Sequence, residues 1–299
     1  MFNQSKNNVI IEGILSEINI NEGSYNKDGR KVEMLSGSIK VQVEQEISKE
    51  LKVCEIPVNV FANKFKKDGT KNPAYDGLLR VKDEYVSIAA GGIERADRVR
   101  IGGARISVNE YYNNNDRLVS FPRIAASFVN RVRKEECKPI AKFEVDAIVR
   151  NIAEEINTNG EETGRYRVVA LLPQYGNIMD EVTFFAKSPG VIEAINTYWQ
   201  PNDTVSMSGM LDFSSVTETI TENLGFGDPV EKTRTVNVSD LIITGGSQGP
   251  VEDVLSYSRE QIQEGLVNRE TRLRNMKDRA SKKTAAPAAS ASTAADYGF

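Results

Sequence analysis

Residues 97–107 read DRVRIGGARIS, and residues 203–213 read DTVSMSGMLDF. Asp97, Val99, Ile101 and Gly103 in the first stretch match Asp203, Val205, Met207 and Gly209 in the second. Both are alternating apolar runs broken by glycine. Alternation sends every second side chain to one face of a strand, and a glycine inside it marks a bulge or a sharp barrel bend. Working outward, two more pairs follow in the same order. EGILSEI at 12–18 matches DAIVRNI at 146–152, setting Glu12 against Asp146 and Ile14 against Ile148. VNVFANK at 58–64 matches VTFFAKS at 182–188, setting Phe61 against Phe185. One such match arises by chance among β-rich segments, but three in order indicate a duplicated unit.

Each copy predicts the same elements. Strands are expected at about 8–20, 33–46, 51–62, 97–111 and 117–131, and again at about 141–156, 164–173, 178–186, 203–214 and 234–244, where Val, Ile, Phe and Thr concentrate between Gly, Asn and Asp. A helix is expected in the second copy after Ser188-Pro189-Gly190, with Ser as N-cap and Pro at the first helical position. The matching interval in the first copy, about 63–96, is expected to be a longer connection carrying the turn Lys67-Asp68-Gly69-Thr70. Five strands with a helix between the third and fourth is the order of the OB-fold, a small Greek-key barrel. The fold expected is therefore mainly β. It has two tandem five-stranded OB-like barrels at 1–137 and 138–249, a helical segment at 250–280 with a thin apolar stripe and partial docking, and a disordered tail at 281–299.

Composition narrows the chemistry. Histidine is absent, which removes the commonest general base and metal ligand, and Cys54 and Cys137 have no cysteine close by in sequence. No glycine is followed by the Lys-Ser/Thr of a phosphate loop, and the glycine pairs lack dinucleotide spacing. These features predict a protein that is not an enzyme and uses no metal or cofactor. MFNQSKNNVIIEGILSE lacks the pattern of a signal peptide, and the apolar runs are strand-length, so no membrane span and a cytoplasmic location are expected.

Charge divides the two copies. Residues 1–137 hold 22 Lys and Arg against 19 Asp and Glu, whereas 138–249 hold 8 against 16. The first copy tolerates a polyanion and the second repels one. In the first copy, cations lie beside aromatic rings in the loops that border the usual OB ligand face. Tyr25, Lys27, Arg30 and Lys31 follow the first strand. Phe61, Lys64, Phe65, Lys66, Lys67, Lys71 and Tyr75 follow the third. Tyr111, Tyr112 and Arg117 follow the fourth, and Arg98 and Arg100 share a face within it, free to extend the basic surface or to pair with Glu94 and Asp97. Rings stack bases while Lys and Arg neutralise phosphates, so these residues are the candidates for single-stranded nucleic acid. Phe61 taken alone reads as core or rim, since its match Phe185 lies in the acidic copy. Lys64-Phe65-Lys66-Lys67, without a counterpart there, is the stronger candidate.

The chain ends SKKTAAPAASASTAADYGF. An OB domain followed by a Pro/Ala/Ser-rich tail with an acidic residue and a terminal Phe resembles bacterial and phage single-stranded-DNA-binding proteins. The resemblance implies sequence-independent binding of single-stranded DNA in replication or recombination, with Asp296 and Phe299 docking replication or recombination proteins. This tip has one acid where that family has several, and Tyr-Gly in place of Ile-Pro. A tandem arrangement looks more like a phage replication protein than the single-domain bacterial form. The acidic second copy leaves an alternative from another class, a structural or assembly protein whose barrels are protein-interaction modules.

Overall fold

The structure, a computed structural model, describes residues 5–113, 115–157, 159–222, 230–252 and 256–284. The first half runs β1 (Asn7–Lys27), β2 (Arg30–Ile47), β3 (Glu50–Asn63), α1 (Pro73–Glu84), α2 (Ile88–Gly91), β4 (Arg98–Tyr112), β5 (Leu118–Ala126) and β6 (Phe128–Val132). A 3-10 turn at Lys134–Glu136 leads to the second half. This runs β7 (Ile140–Ile156), β8 (Glu162–Gln174), β9 (Ile178–Ala186), α3 (Pro189–Tyr198), β10 (Thr204–Asp212), β11 (Ser215–Glu222), β12 (Val230–Asn237) and β13 (Asp240–Gly246), then α4 (Arg259–Thr284).

In each half the hydrogen bonds close a barrel. β1 pairs with β2, β2 with β3, β3 in parallel with β5, β5 with β4, and β4 with β1. The second half repeats the circuit as β7, β8, β9, β13, β10 and back to β7, again with one parallel pairing, β9 with β13. The protein is mainly β, two tandem OB-type barrels followed by a C-terminal helix. Alternation fills both interiors, with Ile39, Ile56 and Ile106 sealed in one and Val168, Phe184 and Leu211 in the other. The glycines of the fourth strands sit where the ladder slips. Gly103 takes φ 63° beside a register shift between β1 and β4. At Gly209 a Cβ would fall 1.9 Å from the Ile242 carbonyl oxygen.

The barrels are joined by their first strands. Asn7–Glu12 of β1 lies antiparallel to Ile140–Val145 of β7, and Val9 faces Phe143. The offset between these two is that of the Glu12–Asp146 match. An antiparallel ladder centred on equivalent residues is a local two-fold axis, so the seam is isologous, like that of a symmetric dimer. Side chains repeat the symmetry. Buried Glu12 accepts the Lys138 N–H at 2.8 Å, and buried Asp146 accepts the Lys6 N–H at 2.8 Å, each reaching the other half's backbone. Gln45 Nε2 donates to the Leu211 carbonyl at 2.9 Å, and Gln174 Nε2 to the Ile106 carbonyl at 3.2 Å.

Several expectations need correction. The connection 63–96 holds α1 as well as a turn: Asn72 caps it through the Ala74 N–H, Pro73 opens it, and Leu78 and Val81 bury its inner face. The strand expected at 117–131 breaks at Ser127 into β5 and β6. The one expected at 234–244 is the end of the β11–β12 hairpin plus β13. The β3–β9 match also moves. Tracing equivalence through β2 and β8, and separately through β5 and β13, sets Phe185 against Asn59 and Lys187 against Phe61. The shift is two residues, and an even shift keeps every side chain on its face, so the sequence pattern could not detect it. The C-terminal helix docks in part, as its thin stripe implies: Ile262 and Leu273 of α4 are buried, as is Tyr257 just ahead of it, while most of its other described residues are exposed. Among the described residues no helix is long and apolar enough to cross a membrane.

Candidate nucleic-acid interface

On the outer face of barrel one lies a groove of about 600 Å³. Its floor is Ser36, Gly37 and Ser38 of β2 beside Asn59 of β3. Ser36 and Ser38 alternate with buried Leu35 and Ile39, and Asn59 with buried Val58 and Val60, so strand geometry aims these three outward, while Gly37 shares the inward parity and lines the groove with its backbone. Gly37 is required here, since a Cβ would fall 1.9 Å from the Asn19 carbonyl oxygen. One wall is Arg105 and Ser107 of β4 with Arg123 and Ala125 of β5, and Gln174 reaches in from barrel two. Arg123 Nε donates to Ser107 Oγ at 3.1 Å, and among the described residues neither Arg105 nor Arg123 is ion-paired. Phe61 closes the other side, about half exposed at 51%. Farther along the β4–β5 finger, Tyr111 and Phe121 meet edge to face with centroids 6.3 Å apart, both open to solvent. Small polar groups below, two guanidinium groups free of carboxylates and three exposed rings are what a chain of bases and phosphates needs.

The expected residues distribute around this groove. Tyr25, Lys27, Arg30 and Lys31 occupy the exposed β1–β2 finger, whose Asp28-Gly29 turn has the positive φ angles of a tight hairpin. The Tyr25 hydroxyl donates to Asn63 Oδ1 at 3.3 Å, leaning the finger toward the end of β3. Phe65, Lys66, Lys67 and Lys71 form an exposed hairpin closed by the Phe65–Lys71 bridge. Lys64 is tied to Glu33 at 2.6 Å. Tyr112 sits beneath Lys277, and Arg117 is exposed at the β4–β5 turn. Phe61 is neither core nor buried rim. Tyr75 must be withdrawn as a contact, because α1 turns it into the barrel core at 8% exposure. Arg98 and Arg100 do not pair with Glu94 and Asp97, which hold Lys134 and Arg131. Arg98 is spent on the Ile93 and Ala96 carbonyls, and Arg100 on Glu12 at 2.7 Å. Burial works to raise the Glu12 carboxyl, but Arg100 and the Lys138 N–H outweigh it and hold the group below the usual carboxylate range. Asp296 and Phe299 lie outside the described residues.

The sequence reading missed Arg123, Phe121 and the groove floor. Phe121, Arg123 and Ala125 share one strand parity, so period two alone places them together. The floor residues gave no such signal.

The same face of barrel two is built differently. By shared register, Asn21, Ser36, Ser38, Asn59 and Phe61 correspond to Glu155, Arg165, Arg167, Phe185 and Lys187, and Arg105 and Arg123 to Met210 and Asp240. The Arg165 guanidinium lies 4.2 Å from the centre of the Phe185 ring. Glu155 holds it at 2.7 Å and Asp240 at 2.8 Å. Where barrel one has a hollow flanked by cations, barrel two has a neutralised cation seated on its own aromatic ring.

Comparison with known proteins agrees with the architecture. The crystal structure of wild-type single-stranded DNA binding protein from Thermus aquaticus superposes with a TM-score of 0.50 at 10% identity, over 84% of this chain and 97% of that one. A deletion mutant of the same Thermus aquaticus protein gives 0.48 at 11% identity, over 86% and 98%. At such identity the likeness speaks for the fold alone. No curated protein matches the sequence. The YorF family model matches residues 6–279, and the chain belongs to the YorF family.

Proposed function

We propose that the protein binds single-stranded DNA without sequence preference along the groove of barrel one, in phage replication or recombination. The observation that carries this reading is the groove itself: a floor of Ser36, Gly37, Ser38 and Asn59 between the walls of Arg105 and Arg123 and the exposed rings of Phe61, Tyr111 and Phe121. Serine and glycine leave the backbone open to a bulky polymer. Rings stack any base, because every base has a π face, and arginine forks onto phosphate oxygens. The Thermus aquaticus protein of similar architecture is named for the same ligand.

Fluorescence anisotropy of a labelled oligo-dT, titrated with the chain at two salt concentrations, tests this. The expected result is saturable binding that weakens as salt rises, and that is weaker and less salt-dependent in Arg105→Ala/Arg123→Ala. An equal response to an oligo-U strand extends the ligand to RNA. No binding at low salt overturns the proposal and returns the barrels to a role in assembly.

A further inference from the structure

Helix α4 spans both barrels. Tyr257 and Ile262 pack on Ile148, Leu171 and Met179 of barrel two, and Asn268 Nδ2 donates to the Asn177 carbonyl at 2.9 Å. Arg269 and Arg272 then reach into the seam between barrels. Both bind Glu110 of β4, and Arg272 also holds Asp180 of β9 at 2.7 Å. These two carboxylates are nearly sealed, with side-chain exposures of 2% and 3%. Burial pushes the Asp180 carboxyl up, and Arg272 pulls against that. Near the end of the helix, Lys277 lies 2.6 Å from Asp116 and 5.3 Å from the centre of the Tyr112 ring. Asp116 and Tyr112 belong to the β4–β5 finger, which also carries Tyr111 and Phe121. Neighbouring residues of a strand point to opposite faces. The strand end therefore meets the groove through Tyr111 and the helix through Tyr112.

We infer that α4 is a strap fixing the β4–β5 finger, so that docking of α4 and binding of a single strand in the barrel-one groove stabilise each other. The inference rests on the groove reading above. An unfastened finger must be ordered by the incoming strand, which weakens binding, while a fastened one presents Tyr111 and Phe121 already in place. Coupling of this kind is reciprocal: whatever tightening α4 gives the strand, the strand returns to α4. Arg272 and Asp116 are positioning residues here, since neither faces the groove.

The experiment uses the full chain, a labelled oligo-dT and hydrogen exchange of α4. Asp116→Asn removes a negative charge from a surface that receives a polyanion, so electrostatics alone requires tighter binding. The strap requires binding weaker by about two- to threefold, the worth of an exposed ion pair. Arg272→Met releases the clasp and is expected to weaken binding by about fivefold or more, the lower bound of typical site-to-site coupling. The slope of log affinity against log salt stays unchanged, because Arg272 touches no phosphate. Arg272→Lys recovers part of the loss. In the wild-type chain oligo-dT slows exchange over 269–278. Should Arg272→Met fail to fold, Asp116→Asn and the exchange measurement decide. Wild-type or tighter binding by Asp116→Asn, or exchange in α4 indifferent to DNA, overturns the strap while leaving the groove standing. If the wild-type chain takes up no oligo-dT, the groove reading falls and the strap with it.

Discussion

The two barrels share a strand order and a buried core pattern, yet their outer faces are opposites. At the positions of Ser36 and Asn59 in barrel one, barrel two carries Arg165 and Phe185; at the position of Arg123 it carries Asp240. Barrel two does not simply lack cations. It has Arg165 and the exposed Arg167 on the same face, but Arg165, the one at the position of Ser36, is spent internally, stacked on Phe185 and held by two carboxylates. A guanidinium held between two carboxylates has little left to offer a phosphate. Pairing, more than the count of cations, separates Arg165 from Arg105 and Arg123, while Arg167 at the position of Ser38 stays exposed and without an ion pair among the described residues.

The comparison breaks most readily at the rings. Phe61→Ala is expected to weaken oligo-dT binding by about 1–3 kcal/mol, the worth of one stacked base, with the salt slope unchanged. Phe185→Ala, its opposite number in kind, is expected to leave affinity within error in the same anisotropy titration. Equal losses would place the strand on both barrels. Arg165→Met probes the plug directly. It strands Glu155 and Asp240 and is expected to lower stability by about 1–3 kcal/mol in urea unfolding, with oligo-dT affinity unchanged. A large gain in affinity would mean that barrel two holds a latent site. Calorimetric titration with an oligo-dT short enough to occupy one groove is expected to give one strand per chain, and two strands would end the distinction between the barrels. The smallest effect belongs to single wall cations. Arg105→Ala is expected to flatten the plot of log affinity against log salt by about 0.7, one phosphate contact on a single strand. The exposed Lys66 and Lys67 are to be measured beside it, and a larger flattening there would move the path of the strand onto the β3–α1 hairpin.

The seam supplies a pH test of the shared architecture. Glu12 is held below its ordinary range by Arg100 and the Lys138 N–H. A carboxylate depressed in the folded state adds stability that is present above its unfolded value and disappears as pH falls through the folded one. Acid titration of the wild-type chain should therefore lose stability over that interval, and Glu12→Gln should lose less. Equal losses would show that Glu12 contributes nothing to the seam.

How much of this was legible in the sequence depends on what each feature looks like from one chain. The barrels were legible because duplication wrote each strand twice. Helix α1 carries a start signal in Asn72 before Pro73, but the turn residues Asp68-Gly69 just ahead of it make the interval look like a loop. The slip between β3 and β9 was invisible, since two residues is a full strand period. The groove floor was the hardest to see. Ser36, Gly37 and Ser38 matter for what they leave empty, and an absence of side chain carries no pattern. Tyr75 failed for the opposite reason: an aromatic ring among lysines looks like a contact until a helix turns it inward. The clasp of α4 is hidden because the partners of Arg269 and Arg272, Glu110 and Asp180, lie far away in the chain.

The two-fold seam between β1 and β7 has a consequence for how such a molecule changes over time. In a dimer of identical chains, symmetry enforces equality, and an arginine introduced at the position of Ser36 fills both grooves at once. One mutation then abolishes every site in the assembly. Joining the halves into one chain releases them from that constraint. Each position is inherited separately, so one half can be silenced, recharged or given another task while its twin keeps the original trade. The connection also makes the partner permanent, at a local concentration no dilution reduces. Arg165 facing Phe185 is the kind of asymmetry that only a heterologous pair, or a pair in one chain, can keep.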